Sequence, residues 1–528
     1  MYKKTLYGAE ARKKLLSGIN KITDAVAVTL GPQGRNVMIA QVFEANYATH
    51  SLPIEVTKDG YRVTRRFDLE DFFERAGIVL VKECCQKSVD QSGDGTTSTA
   101  VLMRHIVAEG MEAIEAGANP MELKKEIDAA VARVVSVLKT RAIQVRNDNE
   151  KLFQIATISA NNDMEMGRLV ADAFKKIGHE GVVDIEAGKS VTTEIKIASG
   201  YRFDQSWVHP YFMTNGAKQL VEFENPLILL YNRVITHHTQ VMRAMEIAVK
   251  AGRSVLIICP GAQDEGLAFF ISNVLQKKFS CCVVKAPAVG DSQREEMEDL
   301  AILTGATFMA DNRGSDMKSI ELKHFGSAKK VLVTREETII IEGESDQKAL
   351  EDLVNELRMN KAMVKNEDEA APIEKRIAKL TGGVAVIQVG AATDTEMKEK
   401  MDRFDDSVRA VKSAIAEGYT VGAGTAFLRI GSGSKIVDSA MAMILRQICS
   451  NIGLSPKQWW EFWKPKHIFD QVKDSSGNMG YNAKTGKVED LIEAGVLDPV
   501  KVLRCALQNA ASSAAMVLTT ECLIADHY

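Results

Sequence analysis

Three short stretches join glycines to hydroxyls or carboxylates at spacings that suit phosphate chemistry. They are Thr29-Leu-Gly-Pro-Gln-Gly-Arg-Asn36, Gly93-Asp-Gly-Thr-Thr-Ser98 and Gly418-Tyr-Thr-Val-Gly-Ala-Gly424. Glycine lets backbone N–H groups approach phosphate oxygens closely, and the start of a following helix adds a favourable dipole. In the second stretch Thr96, Thr97 and Ser98 offer hydroxyls, and Asp94 has the charge to hold a divalent cation that bridges phosphates. Taken one at a time, each stretch also reads as a plain turn. Gly93-Asp-Gly-Thr-Thr97 is the most specific, because a carboxylate among such hydroxyls has few purely structural uses. A Walker-type loop is excluded, since no G-x-x-x-x-G-K-[ST] occurs and Gly188-Lys-Ser190 lacks the earlier glycine.

Other chemistries find less support. The eight cysteines, at 84, 85, 259, 281, 282, 449, 505 and 522, form no C-x-x-C, so buried reduced thiols are expected. His237-His238 has no further Cys or His at ligand spacing, which favours a surface or helix-start position over a metal site. Lys and Arg number 66 against 70 Asp and Glu, with both signs spread along the chain, so nucleic acid is not an expected partner. Apolar runs such as Val255-Leu-Ile-Ile-Cys259 are too short to cross a bilayer, and no membrane partner is expected. The start Met1-Tyr-Lys-Lys4 leads into no apolar stretch, so no signal peptide is read and the cytoplasm is the expected location.

The elements that must position these loops change character along the 528 residues, a length that suggests several domains at about 150 residues each. Leu15, Ile19, Ile22, Val26 and Leu30 recur at helical steps, and Gly31-Pro32 should stop that helix. Asn119-Pro120 opens another, with Leu123, Ile127, Val131, Val134 and Leu138 on its buried face. In the centre, the runs starting at Leu227, Val255 and Cys281 alternate with stretches of helical length, a β-α-β-α pattern with both sheet faces covered. Thr338–Glu342 and Val384–Val389 read as further strands, and from about Asp405 the pattern turns helical again. The expected fold is helical at both ends with an α/β middle.

Taken together, the chain resembles the group I chaperonins, the bacterial and organellar GroEL-like class. The match runs through Val28–Val37, Val56-Thr-Lys-Asp-Gly60, Gly93–Thr97, Ala156-Thr-Ile-Ser-Ala-Asn161, Val284-Lys-Ala-Pro287, Gly382–Ile387, Val389-Gly-Ala-Ala-Thr393, Gly480-Tyr-Asn-Ala483 and Leu497-Asp-Pro499, in a fixed order. The resemblance implies a helical equatorial domain from residues 1–140 and 417–528, and a small intermediate hinge domain from 141–198 and 384–416. It also implies an α/β apical domain from 199–383, and subunits closed into rings of seven, single or double. The implied activity is ATP-driven folding of non-native polypeptides, with magnesium and potassium as cofactors and a lid co-chaperonin as a further candidate partner. A second reading, a ring-forming holdase or assembly scaffold with slow or no turnover, remains open.

Residue by residue, the resemblance places Thr29, Leu30, Gly31 and Pro32 along the phosphates, with the Thr29 and Lys58 carbonyls near potassium. Asp94 would ligate magnesium, Gly95, Thr96, Thr97 and Ser98 would surround phosphate oxygens, and Asp59 would sit by the γ-phosphate. Asp406 would arrive from the intermediate domain and orient the attacking water. Gly422 and Ala423 belong to the third loop, and Asn482, Ala483 and Asp498 would hold adenine and ribose. The client-gripping surface would comprise Trp207, Val208, Tyr211, Phe212, Met242, Met245, Leu267, Phe270 and Ile271, types that adapt to many ligands.

The departures are as informative. Ala423 stands where the family carries the middle of three glycines, and Gln205 replaces an arginine that normally pairs with the equivalent of Asp394. His238 and Ser272 stand where aliphatics are usual. Extra residues lie between Gln41 and Val56, in a hairpin that normally pairs with the neighbouring subunit. Leu454 and Ser455 replace two ring–ring glutamates and leave Arg446 without those partners, and Trp459-Trp-Glu-Phe-Trp463 follows as an insertion. A copy this divergent fits an unusual host or a virus, and no residue decides between them.

Overall fold

Asn119 Oδ1 accepts from the Met121 and Glu122 N–H groups at 2.9 and 3.3 Å, the cap that the sequence requires before Pro120. The computed structural model in which this is seen describes residues 2–40, 54–145, 148–178, 181–188, 190–216, 219–288, 290–310, 317–345, 347–363, 373, 376–377, 379–454 and 468–527. The expected insertion between Gln41 and Val56 falls largely outside these residues, as do Ser455 and the segment Trp459–Trp463. The chain divides into two compact units, Met1–Asp172 with Ala391–Tyr528, and Ala173–Gly390.

The first unit is helical. Its helices are α1 (Gly8–Ala27), α2 (Gly60–Arg66), α3 (Phe72–Ser92), α4 (Thr96–Glu115), α5 (Pro120–Thr140) and α6 (Asn149–Ser159) from the first segment. The second segment gives α12 (Asp394–Glu417), α13 (Thr425–Leu428), α14 (Lys435–Asn451), α15 (Ile468–Asp474) and α16 (Val500–Thr519). Leu15, Ile19, Ile22 and Val26 are buried as expected, whereas Leu30 lies beyond the end of α1 at Ala27. They join Leu102, Met103, Val437, Leu445 and Leu507 in one core. Close crossing of α1 and α3 depends on two glycines: a Cβ on Gly18 would lie 1.9 Å from the Glu74 carbonyl, and one on Gly77 would lie 2.2 Å from that of Leu15. The second helical stretch begins at Asp394, earlier than the apolar pattern suggests, because the Thr393 side chain caps it by accepting from Glu396 N–H.

Four two-stranded ribbons decorate this unit. They are β1 (Tyr2–Tyr7) with β18 (Cys522–His527), β2 (Val37–Ala40) with β3 (Ile54–Thr57), β14 (Tyr419–Val421) with β17 (Leu497–Pro499), and β15 (Met479–Asn482) with β16 (Lys487–Asp490). The Arg446 guanidinium lies 4.5 Å from the centre of the Phe469 ring.

The second unit is built on one sheet. Its strand order is β4 (Val182–Ala187), β13 (Gly383–Val389), β5 (Glu194–Phe203), β12 (Thr338–Gly343), β11 (Gly326–Val333), β7 (Leu227–Tyr231), β8 (Val255–Cys259) and β9 (Cys281–Lys285). The short strands β6 (Val221–Glu224) and β10 (Phe308–Met309) pair with β11 and β7. Strands β7, β8 and β9 run parallel, joined through α8 (Met242–Ala251) and α9 (Asp264–Leu275), which is the expected β-α-β-α unit. All residues of β7 and β8 are buried, which is why they read as unbroken apolar runs. Helices α10 (Asp291–Thr304) and α11 (Gln347–Met363) complete this unit, while α7 (Met164–Ile177) spans the division at Asp172. Of the segments expected to form an intermediate domain, α6 and α12 belong to the first unit, and β4 and β13 to the second.

Candidate nucleotide site

After α1 the chain folds back on itself. Thr29 Oγ1 donates to the Val26 carbonyl at 2.8 Å or lies toward Thr97 Oγ1 at 3.3 Å, while Gly34 and Arg35 N–H groups bond the Gly31 and Val28 carbonyls. Gly31 takes φ +84°, and a Cβ on Gly34 would lie 2.0 Å from the Thr29 carbonyl. The Thr29–Thr97 contact brings the first and second loops together, and Gly31 and Gly34 shape the first. Gly60 adds the Asp59 turn to the same place, since a Cβ there would lie 2.3 Å from Thr97 Oγ1. Lys58 reaches the first loop through the Pro32 carbonyl at 3.5 Å, and burial with the nearby Arg403 charge holds its ammonium pKa down.

Helix α4, like α1, α14 and α16, has no side-chain cap at its start. Asp59, Asp71, Asn119 and Asp148 cap α2, α3, α5 and α6 with their side chains, whereas α4 is preceded by Gly95 at φ +87° with no side-chain cap. The first-turn N–H groups of Thr96, Thr97 and Ser98 are therefore left for an external acceptor, and the helix dipole favours an anion there.

Asp59, Asp94, Asp406 and Asp498 bring carboxylates into this region, with Asp402 and Asp405 beside them. Asp59 accepts from Tyr61 and Arg62 N–H at 2.8 and 3.4 Å. Asp94 accepts from Gly95 N–H. Asp406 comes from α12, which Ser407 and Ser413 fasten to the Ala156 and Ser92 carbonyls at 2.8 Å each. Gly93 allows this approach, because a Cβ on it would lie 2.3 Å from Arg409 Cβ. Burial raises the pKa of Asp94 and of Asp59. Burial, reinforced by Asp59 and Asp94, raises that of Asp406 well above the carboxylate range. Burial and Asp94 push Asp498 up to about 7. Arg409 opposes the shift at Asp406, and Arg62 opposes it at Asp59.

Such a cluster is short of positive charge and suits a hard cation with oxygen ligands. Among the described residues no three His, Cys, Asp or Glu side chains converge as a ready-made metal cage. Asp94 could hold a magnesium ion whose remaining ligands are phosphate oxygens and water.

The third loop lies against Val496 and Asp498. Gly422 N–H bonds the Val496 carbonyl at 3.0 Å, and a Cβ on Gly422 would lie 3.2 Å from Asp498 Oδ1. Ala423 takes φ +55° and Gly424 φ +73°. Thr425 Oγ1 is buried beside this loop with no hydrogen-bond partner among the described residues. Asn482 is partly engaged already: its Nδ2 donates to Glu489 at 2.7 Å and its Oδ1 accepts from Lys484 N–H at 3.0 Å. Ala483 is buried next to it. Gly60 and Thr425 were not singled out by their sequence pattern, although an Asp-Gly pair opening a helix is a signal that could have drawn attention to Gly60.

The TCP-1/cpn60 chaperonin family matches residues 22–527. The chain belongs to this family. Its fold is similar to crystal structures of the chaperonin gp146 from the bacteriophage EL 2 (Pseudomonas aeruginosa) in the presence of ATP-BeFx. Crystal form II gives TM-score 0.71 and crystal form I 0.62, each at 19% identity over 99% of both chains. No helix among the described residues is long and apolar enough to cross a membrane.

In this chaperonin the nine residues expected to grip clients separate into two groups. Tyr211 and Met242 are exposed, and Trp207, Val208, Leu267 and Ile271 are half-buried at the rim of the second unit's core. Phe212, Met245 and Phe270 are buried at 1%, 3% and 0% exposure, so they are core residues that no client reaches in this conformation. The reason is geometric: each is buried in the second unit's core from the 3-10 turn Pro210–Phe212, α8 or α9, while neighbours one step away face outward. Phe269, which the sequence reading passed over, is half-buried at the rim and stacks near Phe279 and His238 at 6.1 and 5.9 Å. His237 caps a 3-10 turn at His238–Gln240, the expected helix-start position, and both imidazoles bond Glu265.

Proposed function

We propose that this chaperonin binds and hydrolyses ATP in the first unit, in rings of seven, and uses that cycle to capture and release non-native polypeptides on the apolar rim of the second unit. The observation that carries the reading is the meeting of Asp59, Asp94 and Asp406 in front of the uncapped start of α4. In-line phosphoryl transfer needs positioning and charge neutralisation more than covalent help. The N–H groups of Thr96, Thr97 and Ser98 bind phosphate oxygens, and the folded-back Thr29–Pro32 loop lines them. Asp94 would hold a magnesium ion, which when bound would neutralise phosphate charge, and the Thr29 and Lys58 carbonyls would hold a potassium ion. Asp406 orients the attacking water by accepting its hydrogen bond, with Asp59 beside the γ-phosphate. Asp498, Asn482 and Ala483 hold the nucleoside end. A holdase with slow turnover is the second reading, favoured by the left-handed Ala423 in the third loop. A cytoplasmic location suits this activity.

Asp406→Ala is expected to keep nucleotide affinity while slowing single-turnover hydrolysis by at least about tenfold, a loss of roughly 1.4 kcal/mol in transition-state stabilisation. Asp94→Lys is expected to abolish magnesium-dependent nucleotide binding. Hydrolysis by Asp406→Ala at the wild-type rate, or normal affinity in Asp94→Lys, would overturn the site.

A further inference from the structure

Helices α2 and α12 are joined by an ion pair that the phosphate chemistry itself does not require. The Arg62 guanidinium pairs with the Asp402 carboxylate, and its Nε lies 4.0 Å from Asp59 Oδ2. Arg62 follows the α2 cap Asp59 by three positions, and Asp402 precedes Asp406 by four. Residues so spaced share one helix face about one turn apart. The pair therefore links the two helices within a turn of both acids of the proposed site.

Other described side-chain contacts of α12 run to different elements, among them Glu417 with Arg504 of α16. Ser407 reaches Ala156 on α6, Ser413 reaches Ser92 on α3, and Arg403 lies 3.5 Å from Asp163. None of these fixes the distance between α12 and α2, which is the distance that separates Asp406 from Asp59. Both side chains of the pair are about one-third exposed, at 33% and 38%, so its effect on overall stability is small and its effect is on placement. Arg62 also brings a positive charge to a cluster of acids that has few, which lets α12 approach α2 before any cation is bound.

We propose that Arg62 and Asp402 form a clasp that holds Asp406 at its working position over Asp59, which makes Arg62 a positioning residue for hydrolysis. The inference rests on the ATPase reading above. Its consequence is kinetic, because misplacing a catalytic group by about 1 Å costs up to a hundredfold in rate.

The test uses the assembled full-length chain, comparing wild type with Arg62→Ala, Asp402→Ala, the double variant and Arg62→Lys. ATP affinity and single-turnover hydrolysis are measured in each, together with amide hydrogen exchange over residues 394–406. Each alanine variant is expected to hydrolyse roughly five- to tenfold more slowly at an affinity within about twofold of wild type. The double variant should be no slower than the slower single, because both remove one interaction. Arg62→Lys should recover most of the rate, and exchange over residues 394–406 should quicken in Arg62→Ala. Wild-type rates in the alanine variants, multiplied losses in the double, or a loss of affinity in place of rate would overturn the clasp. A wild-type chain without turnover would overturn the ATPase reading instead. Exchange would then decide the clasp alone, unchanged exchange in Arg62→Ala counting against it.

Discussion

Ala423 takes φ +55° between Gly422 and Gly424, a conformation that costs an L-residue on the order of 1 kcal/mol. The resemblance marked this position as one where glycine is usual, and the backbone shows why glycine suits it. Ala423→Gly relieves the strain but frees the unfolded chain, so its net effect on stability stays below about 1 kcal/mol. The methyl group also stands on the loop that faces Asp498. We expect Ala423→Gly to tighten ATP binding about threefold, the equivalent of roughly 0.7 kcal/mol. Equilibrium titration decides the point, and unchanged or weaker binding would mean that the methyl does not crowd the nucleotide. The wider lesson at this scale concerns the acids. Asp94 was conspicuous in the sequence because hydroxyls and glycines flank it. Asp59, Asp406 and Asp498 lack such flanking hydroxyls, and 347 positions separate Asp59 from Asp406 and 92 separate Asp406 from Asp498. Their meeting depends on long-range packing, such as Gly93 against Arg409, which no local pattern encodes.

At the scale of elements, the legible parts were those with strong local signals. The Asn119 cap, the α1 stripe and the buried runs of β7, β8 and β9 all follow from residue type and period. The start of α12 did not, because polar residues dominate its first turns and only the Thr393 cap marks it. Around α8 and α9 the residue types are apolar but their facing is not legible from type alone, and facing decides function. Tyr211 and Met242 are 56% and 39% exposed, while Phe212 is 1% exposed. Glutamate at Tyr211 or Met242 should therefore weaken capture of an unfolded model protein several-fold, since each forfeits roughly 1–2 kcal/mol of apolar contact. ATP turnover should persist in both. Phe212→Glu should instead destabilise the second unit, because it buries a carboxylate without a partner. The comparison is read by capture and by thermal unfolding of the same samples. Equal capture by Tyr211→Glu, Met242→Glu and wild type would move the gripping surface away from this rim.

The whole molecule belongs to a family whose members assemble into rings, and this chain carries open strand edges suited to that purpose. The β1–β18 and β2–β3 ribbons each have two strands, and Tyr7, Met38, Val56 and Ile524 on them are at least half exposed. A two-stranded ribbon is marginal alone, and its unpaired edges invite another strand. Pairing of one ribbon with a different ribbon of the next copy is a head-to-tail contact, the kind that closes into a ring. Removing residues 521–528 deletes β18 and leaves β1 without its partner, while the helical core of the first unit keeps nearly all of its buried residues. Mass measurement near physiological salt should then give single chains where the full-length protein gives rings, with helix content by circular dichroism little changed. A truncated chain that still forms rings would show that the ribbon is not the contact. The same measurement on the full-length protein separates one ring from two. Leu454 stands exposed where an acid is usual, and Arg446 is occupied with Phe469. Single rings are expected for at least part of the ATP cycle, and a double ring that persists with and without ATP and resists high salt would contradict that expectation.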